Sequence, residues 1–439
     1  MPPLTSWSDL ADASVGLWGL GVEGTANLHR LQAMGVTPRL VDDAPKSDHY
    51  EGLDVLTTGQ GGLAALLECD VVVKSPGISR YRPEVAAIEG AGIPVRGGLG
   101  LWLEEAARDR VVCITGTKGK STTAALTSHL LTNFGYDARI GGNFGQPPWD
   151  PALRHEPDYW IVETSSFQVP DLTIGPEIVA VTSLFPDHLD WHGDVEHYYD
   201  DKLSLCTKPG VRVALIDGAD ERLRDRAALL GTAVQWVTLE PVADGWARGL
   251  HLPGVHNLRN AIMARAMLVA LGIEEANDDD QMESAIGNFV GLPSRCHSLG
   301  YFGGVEFVDD SLSTNVLPAQ AALSAFPDRP VALLVGGHDR GIDYTPLGTA
   351  TADRLSPTLV VTMPDNGPRI GQAIRQWGGR QVEVVDAIDL DDAVDIAFRW
   401  SPPGGVVLLS PAAPSFGRFA DYRERSTAFA AAAARSGNR

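Results

Sequence analysis

Short apolar runs alternate with segments of helical period along most of the chain. In the first hundred residues SVGLWGLG (14–21), TPRLVDD (37–43), CDVVVKSPG (69–77) and IPVRGG (93–98) read as strands, while GTANLHRLQAMG (24–35) has the spacing of a one-sided helix. That succession predicts a parallel α/β sheet. The charged, helix-like LWLEEAARDR (101–110) separates this region from a new buried strand in RVVCITG (110–116), which sets a domain boundary near residue 107. Beyond it Leu126, Leu130 and Phe134 recur every fourth residue, predicting a helix that Gly135 terminates. YWIVETSSFQ (159–168) is a further buried strand ending at Glu163. From Cys296 a last α/β block offers strands in GVEFVDDS, RPVALLVGG, PTLVVTM, QVEVVDA and GGVVLLSP. The expected domains are therefore 1–107, 108–295 and 296–439.

Composition narrows what such a chain does. At 439 residues it is long enough for several cores, and 44% hydrophobic with 21% charged residues describes a folded protein rather than a disordered one. The net charge of −21 opposes binding driven by nucleic-acid phosphates or an anionic membrane. Four widely spaced cysteines form no C-x-x-C pair, so neither a zinc ribbon nor a disulfide framework is indicated. Without a basic, apolar leader or a long apolar span, the expected location is the cytoplasm.

Two glycine turns suggest nucleotide chemistry. Gly19, Gly21 and Gly24 form G-x-G-x-x-G after a strand, with acids in LVDD some twenty residues later, the pattern of a Rossmann unit or simply of a tight strand-to-helix turn. ITGTKGKSTT (114–123) is a phosphate loop shortened between Gly116 and Gly119. Its backbone N–H groups and helix start suit an anion, Lys120 adds a charge, and Ser121 could place a hydroxyl on Mg²⁺. Downstream, FPDHLDWHGDVEHYYDDKLSL supplies His188 and Lys202; on residue type alone, His188 is equally a solvated side chain and Lys202 an exposed helix charge. Asn257 and Asn260 in LPGVHNLRN could read a base edge or cap a helix, and Arg295 in LPSR suits a phosphate.

The ordered set GTKGKST, VETSSFQ, DHLDWHGDVEHYYDDK, GVHNLRN, LPSR and DDSLSTN resembles the Mur ligases of peptidoglycan assembly over nearly the whole chain. Within that family SSFQ, the GG-x-x-x-G-x-D run at 336–343 and LLSPAAPSFGRFADYRERS are most similar to the MurD-like branch, which adds glutamate to UDP-N-acetylmuramoyl-L-alanine. The resemblance implies an α/β, three-domain architecture: a Rossmann-like N-terminal domain for the UDP-sugar, a P-loop ATPase-like central domain for ATP, and a Rossmann-like C-terminal domain for the amino acid. It also implies site residues. Gly116, Thr117, Lys118, Gly119, Lys120, Ser121 and Thr122 would cradle ATP phosphates; Ser121, Glu163, His188 and Lys202 would serve Mg²⁺, Lys202 as a carbamylated lysine. Lys120, Glu163, His188 and Lys202 form the implied catalytic set. Asn257 and Asn260 would lie near adenine, Arg295 near the γ-phosphate and Asp310 near the ribose. Gly21, Val22, Glu23, Asp42, Asp43, Ser75 and Gly77 would hold the UDP portion, with Asn143, Ser165 and Gln168 at the muramoyl-alanine end. No dinucleotide, nucleic acid or membrane is implied, and the enzyme is expected to be a monomer.

In the implied glutamate pocket Thr314 and Ser415 match the family, whereas Arg340 stands for a usual lysine, Tyr422 for phenylalanine and Leu312 for another lysine. A planar guanidinium repositions a bound carboxylate, so the expectation is the branch that adds L-glutamate and leaves a downstream epimerase to invert the centre. The alternative is D-glutamate. Less expected are a folylpolyglutamate synthase-like ligase, whose relatives usually begin at the ATP domain, and a non-catalytic nucleotide-sugar sensor.

Overall fold

The computed structural model describes residues 4–240 and 245–436. They form three six-stranded sheets. The first contains β1 (Val15–Trp18), β2 (Arg39–Val41), β3 (His49–Tyr50), β4 (Leu53–Leu56), β5 (Val71–Lys74) and β6 (Val95–Gly97), in the order β3-β4-β2-β1-β5-β6. The second has β7 (Val111–Thr115), β8 (Ala138–Gly142), β9 (Tyr159–Glu163), β10 (Ile178–Val181), β11 (Val213–Asp217) and β12 (Val234–Val237), ordered β12-β11-β10-β7-β9-β8. The third has β13 (His297–Phe302), β14 (Val305–Asp309), β15 (Val331–Val335), β16 (Thr358–Thr362), β17 (Val382–Asp386) and β18 (Val406–Leu409), ordered β13-β14-β18-β15-β16-β17. Pairing is parallel except for the edge pairs β3–β4 and β13–β14.

Continuous apolar runs become strands because both faces are covered. In β15, Val331, Leu333 and Val335 enter one core cluster while Ala332 and Leu334 enter another, as the two-residue period of a strand dictates. By chain contacts there are two compact units: one runs to Leu250 and resumes over Arg259–Asn288, the other contains His251–Leu258 and the chain from Phe289 onward. Within the first unit, Leu17 and Val73 of the first sheet share one core with Cys113 and Val162 of the second.

The helix-like stretch at 101–110 is corrected by the structure. The helix spans Gly98–Leu103, and only a short 3-10 turn follows at Arg108–Arg110. Its six residues are all buried, and the acids beyond it bind elsewhere: Glu104 accepts from the Thr173 hydroxyl and Glu105 from the backbone N–H of Ser8. Tertiary partners outcompete helix continuation there. The helix at the phosphate loop runs over Lys120–Asn133, with Leu126 and Leu130 fully buried and Gly135 left-handed at φ +94° just beyond its end.

Candidate active site

In an open α/β sheet, the loops leaving the carboxyl ends of central strands beside a reversal of strand order form the ligand crevice. All three sheets put sequence-predicted residues there. In the first sheet β1 lies between β2 and β5, so the Gly19–Gly24 turn, Asp42 with Asp43, and Ser75 to Gly77 leave neighbouring strand ends. Gly19 is left-handed at φ +94°, and a Cβ on Gly24 would lie 1.9 Å from the Gly19 carbonyl oxygen. The turn therefore closes tightly onto helix α1 (Val22–Ala33), whose N-cap Gly21 provides no side-chain cap. A cavity of about 420 Å³ opens beside it, lined by Gly19, Asp42, Asp43, Gly77, Ser79 and Trp191 among others. Asp42 is occupied in shaping this wall, accepting from the N–H groups of Leu20 (2.7 Å) and Ala44 (2.8 Å).

The second sheet builds the phosphate loop between β7 and helix α2 (Lys120–Asn133). Gly116 sits at φ +133°, where a Cβ would approach Thr182 Oγ1 to 2.3 Å, and Gly119 at φ +91°, where it would approach Asn260 Oδ1 to 2.7 Å. Only glycine fits both places. Lys120 curls back over the loop, its Nζ donating to the Gly116 carbonyl at 2.8 Å and the Thr117 carbonyl at 3.3 Å. From helix α3 (Val195–Leu203), Lys202 donates to the same Gly116 oxygen at 3.2 Å and is only 2% exposed. Burial holds Lys202 well below the ordinary lysine range, with the nearby Lys120 charge acting in the same direction. Both causes favour the uncharged form of this amine over the charged one.

Glu163, at the carboxyl end of β9, accepts from the Ser121 hydroxyl at 2.5 Å on one oxygen and from the Asn143 amide at 2.9 Å on the other. Its carboxylate and the Ser121 hydroxyl put hard oxygens side by side at the loop, the donor type Mg²⁺ prefers. The fit is that of a partial shell, since no group of three His, Cys, Asp or Glu that could hold a metal occurs among the described residues. Phosphate oxygens and water would have to complete it. His188 lies at φ +53° with its side chain 51% exposed and its ring 4.9 Å from that of Phe167. Desolvation keeps it below the usual histidine range, Lys202, Lys118 and Lys120 reinforce this, and Asp187 opposes it. Sequence reasoning missed Asp187, which pairs with Lys118 at 3.5 Å; its adjacency to His188 was the available signal.

Ser165 and Gln168 also meet. The Ser165 N–H and hydroxyl both donate to Gln168 Oε1, and the Gln168 amide donates to Glu23 at 3.0 Å. Burial pushes the Glu23 carboxyl up to about 7, and its second oxygen is buried without a partner. Another missed feature lies behind this loop. His192 Nδ1 bonds Asp201 at 2.6 Å and Nε2 bonds Ser166 Oγ at 2.9 Å, while the Tyr81 hydroxyl donates to the same Asp201 carboxylate. This buried chain fastens the loop after Glu163 to the helix of Lys202; SSFQ and the second histidine of DHLDWH contained its signal.

The third sheet places Asp310 to Thr314, Ser410 to Ser415 and Gly336 to Arg340 after the neighbouring strands β14, β18 and β15. The His338 N–H donates to the Pro414 carbonyl, bringing the last two loops together. Arg425, on helix α4 (Tyr422–Ser436), is 1% exposed and donates to the carbonyls of Ser311 and Ala413. Sequence analysis did not single it out. Thr314 and Tyr422 are half-buried, Arg340 exposed and Ser415 buried on this rim. Asp310 is committed internally, accepting from the Cys296 N–H and the Ser410 hydroxyl; burial raises it to about 7. The Asn257 amide donates to the Pro253 carbonyl at 2.7 Å, and Arg295 acts electrostatically on Asp310.

The chain is similar to known proteins over nearly its whole length. The chain is 39% identical to a UDP-N-acetylmuramoyl-L-alanine–L-glutamate ligase of Micromonospora over 97% of each chain. It is likewise 39% identical to one of Xanthomonas euvesicatoria pv. vesicatoria, over 96% of this chain and 95% of that protein. The chain belongs to the Mur ligase family. Residues 13–97 match the Mur ligase MurD-like N-terminal domain and residues 114–247 the Mur ligase middle domain. The fold is shared with solved Mur ligases: MurF of Thermotoga maritima in complex with ADP (TM-score 0.58, 12% identity, 98% of this chain and 99% of that one) and MurC of the same organism (0.55, 17%, 95% and 98%). As a Mur ligase, the protein is an ATP-dependent enzyme that forms amide bonds in peptidoglycan precursor synthesis. No helix among the described residues is long and apolar enough to cross a membrane.

Proposed function

We propose that this Mur ligase joins the L-alanine carboxylate of UDP-N-acetylmuramoyl-L-alanine to the amine of L-glutamate. Near-full-length similarity to ligases named for that reaction supports the reading most strongly. Residues 1–107 would hold the UDP-sugar, 108–295 ATP, and 296–439 the amino acid.

A carboxylate does not acylate an amine in water because its leaving group would be oxide. The alanine carboxylate oxygen therefore attacks the γ-phosphorus of ATP, the bond to the β-phosphate oxygen breaks, and ADP leaves behind an acyl phosphate. Lys120, already curled over the loop carbonyls, would neutralise charge on the transferring group, with Arg295 as a second cation. The neutral amine of glutamate then attacks the acyl carbon, loses its proton and expels inorganic phosphate. Ser121 and Glu163 would hold Mg²⁺, with His188 and a carbamylated Lys202 in support; the ion supplies positive charge to the phosphates. An amine reacts with carbon dioxide in its uncharged form, and burial of Lys202 favours that form, which supports the assignment. Asn257 and Asn260 would flank adenine and Asp310 the ribose, while Thr314, Arg340, Ser415 and Tyr422 would bind glutamate. Nucleotide substrates suit a cytoplasmic enzyme, which would act as a monomer, and an L-glutamyl product would call for a later epimerase.

Arg340 and Tyr422 support the L isomer because they replace a point charge and an apolar ring with groups that bond a carboxylate from other directions. Measuring ADP release with each pure enantiomer tests this. Turnover with L-glutamate at least about tenfold above D-glutamate is expected, a margin worth about 1.4 kcal/mol in the transition state; a preference for D-glutamate overturns it.

A further inference from the structure

The cavity beside the Gly19 turn poses an electrostatic problem. Its described lining carries three carboxylates, Asp42, Asp43 and Asp190, and a single cation, Arg82. A diphosphate entering such a cavity is repelled by those carboxylates and finds one cationic side chain, Arg82, besides the backbone N–H groups at the start of helix α1, whereas sugar hydroxyls and a uracil imide N–H are donors that carboxylates accept directly. Anion and nucleoside therefore have separate natural partners in the same space.

Arg82 is held for such a task. Its guanidinium lies over the Trp18 ring at 4.9 Å. Nε and one terminal nitrogen donate to the two oxygens of Glu84, each at 3.1 Å, and the other terminal nitrogen donates to Asp43. These bonds use three of the five N–H groups of a guanidinium, leaving about two, one on each terminal nitrogen. The group is thus fixed by its neighbours, keeps a pair of donors, lines the cavity and is 30% exposed, so it can meet a ligand without full desolvation. Arg80, two residues earlier, is spent on Asp171 and Glu89.

We infer that Arg82 is the residue that reads the diphosphate of the nucleotide sugar, making it a specificity-determining contact for the first substrate. The inference rests on the assignment of this cavity to the UDP portion. Asp43 orients the guanidinium, and Asp42 and Asp190 leave the nucleoside side of the cavity acidic.

Calorimetric titration of the full chain with UDP, UMP and uridine, alongside steady-state kinetics, tests it. For R82A, UDP affinity is expected to fall about 10- to 100-fold, the range of a lost charge-assisted hydrogen bond, and the KM for the UDP-sugar to rise equally. Uridine binding and the KM for ATP should move less than about twofold, within the scatter of a change that removes no contact to either. R82K keeps the charge without the fork and should lose about half of that effect on a logarithmic scale. UDP binding that ignores both substitutions, or falls in step with uridine, overturns the role of Arg82 alone. Wild-type protein that binds neither UDP nor the UDP-sugar overturns the cavity assignment and the role of Arg82 together.

Discussion

Individual side chains at this site are poised by burial as much as by charge. Glu23 is the plainest case. Its carboxyl rises from 4.5 to about 7 mainly by desolvation, partly offset by the Gln168 amide. Because the folded value exceeds the unfolded one, folding favours the protonated form: the contribution is complete below pH 4.5 and is lost as pH rises through about 7. Glu23→Gln removes that dependence. Denaturant unfolding should find the variant gaining about 1–3 kcal/mol relative to wild type between pH 5 and pH 8. Lys120 acts differently, since it donates to carbonyl oxygens on the loop it would serve. Lys120→Ala should lower kcat by about 10²–10³ or more, read from steady-state ADP release. Glycines, the shortened phosphate loop and Lys120 were legible in sequence because their chemistry is local. Arg82, Asp187 and Arg425 were not, because a lone charged residue looks the same in sequence whether it faces solvent or a cavity.

Elements transmit these positions through their ends. The phosphate loop exists because Gly116 adopts φ +133° with no room for a Cβ beside Thr182. Gly116→Ala should cost about 2–4 kcal/mol of stability and weaken ATP binding, measured by denaturation and by nucleotide titration, because strain and a backbone shift fall on the same residue. The loop after β9 is fixed by a second device, the Asp201–His192–Ser166 chain. His192→Leu leaves a buried hydroxyl and one carboxylate oxygen without this partner, though Tyr81 still donates to Asp201. A loss of about 2–4 kcal/mol is expected on chemical unfolding. Strand cores such as Val331–Val335 were predictable as continuous apolar runs, whereas the edge pair His49–Tyr50 and Leu53–Leu56 was not. A two-residue polar edge strand has no periodicity to detect; pairing alone defines it.

At the scale of the whole chain, the first two sheets share one core and one buried ion pair. Lys74, at the end of β5, meets Asp171 from the segment after β9, and both are almost fully buried. Arg80 adds a second bond to the same carboxylate at 3.0 Å. Lys74→Met would leave Asp171 buried with one partner, so unfolding should become easier by about 3 kcal/mol, against little change for Arg80→Met. By itself the sequence determined the α/β class, the central strands of the first and third sheets, β7 and β9 of the second, and the short glycine spacer, because each depends on neighbours in the chain: apolar runs, turn residues and motif spacing. Tertiary structure alone decided which charges are buried, that Lys202 reaches the same carbonyl as Lys120, and that Arg82 stands among carboxylates in a cavity. Those outcomes depend on residues that are distant in sequence and meet only at strand ends. The physical reason is that desolvation and Coulomb energy follow distance in space, which local pattern does not encode.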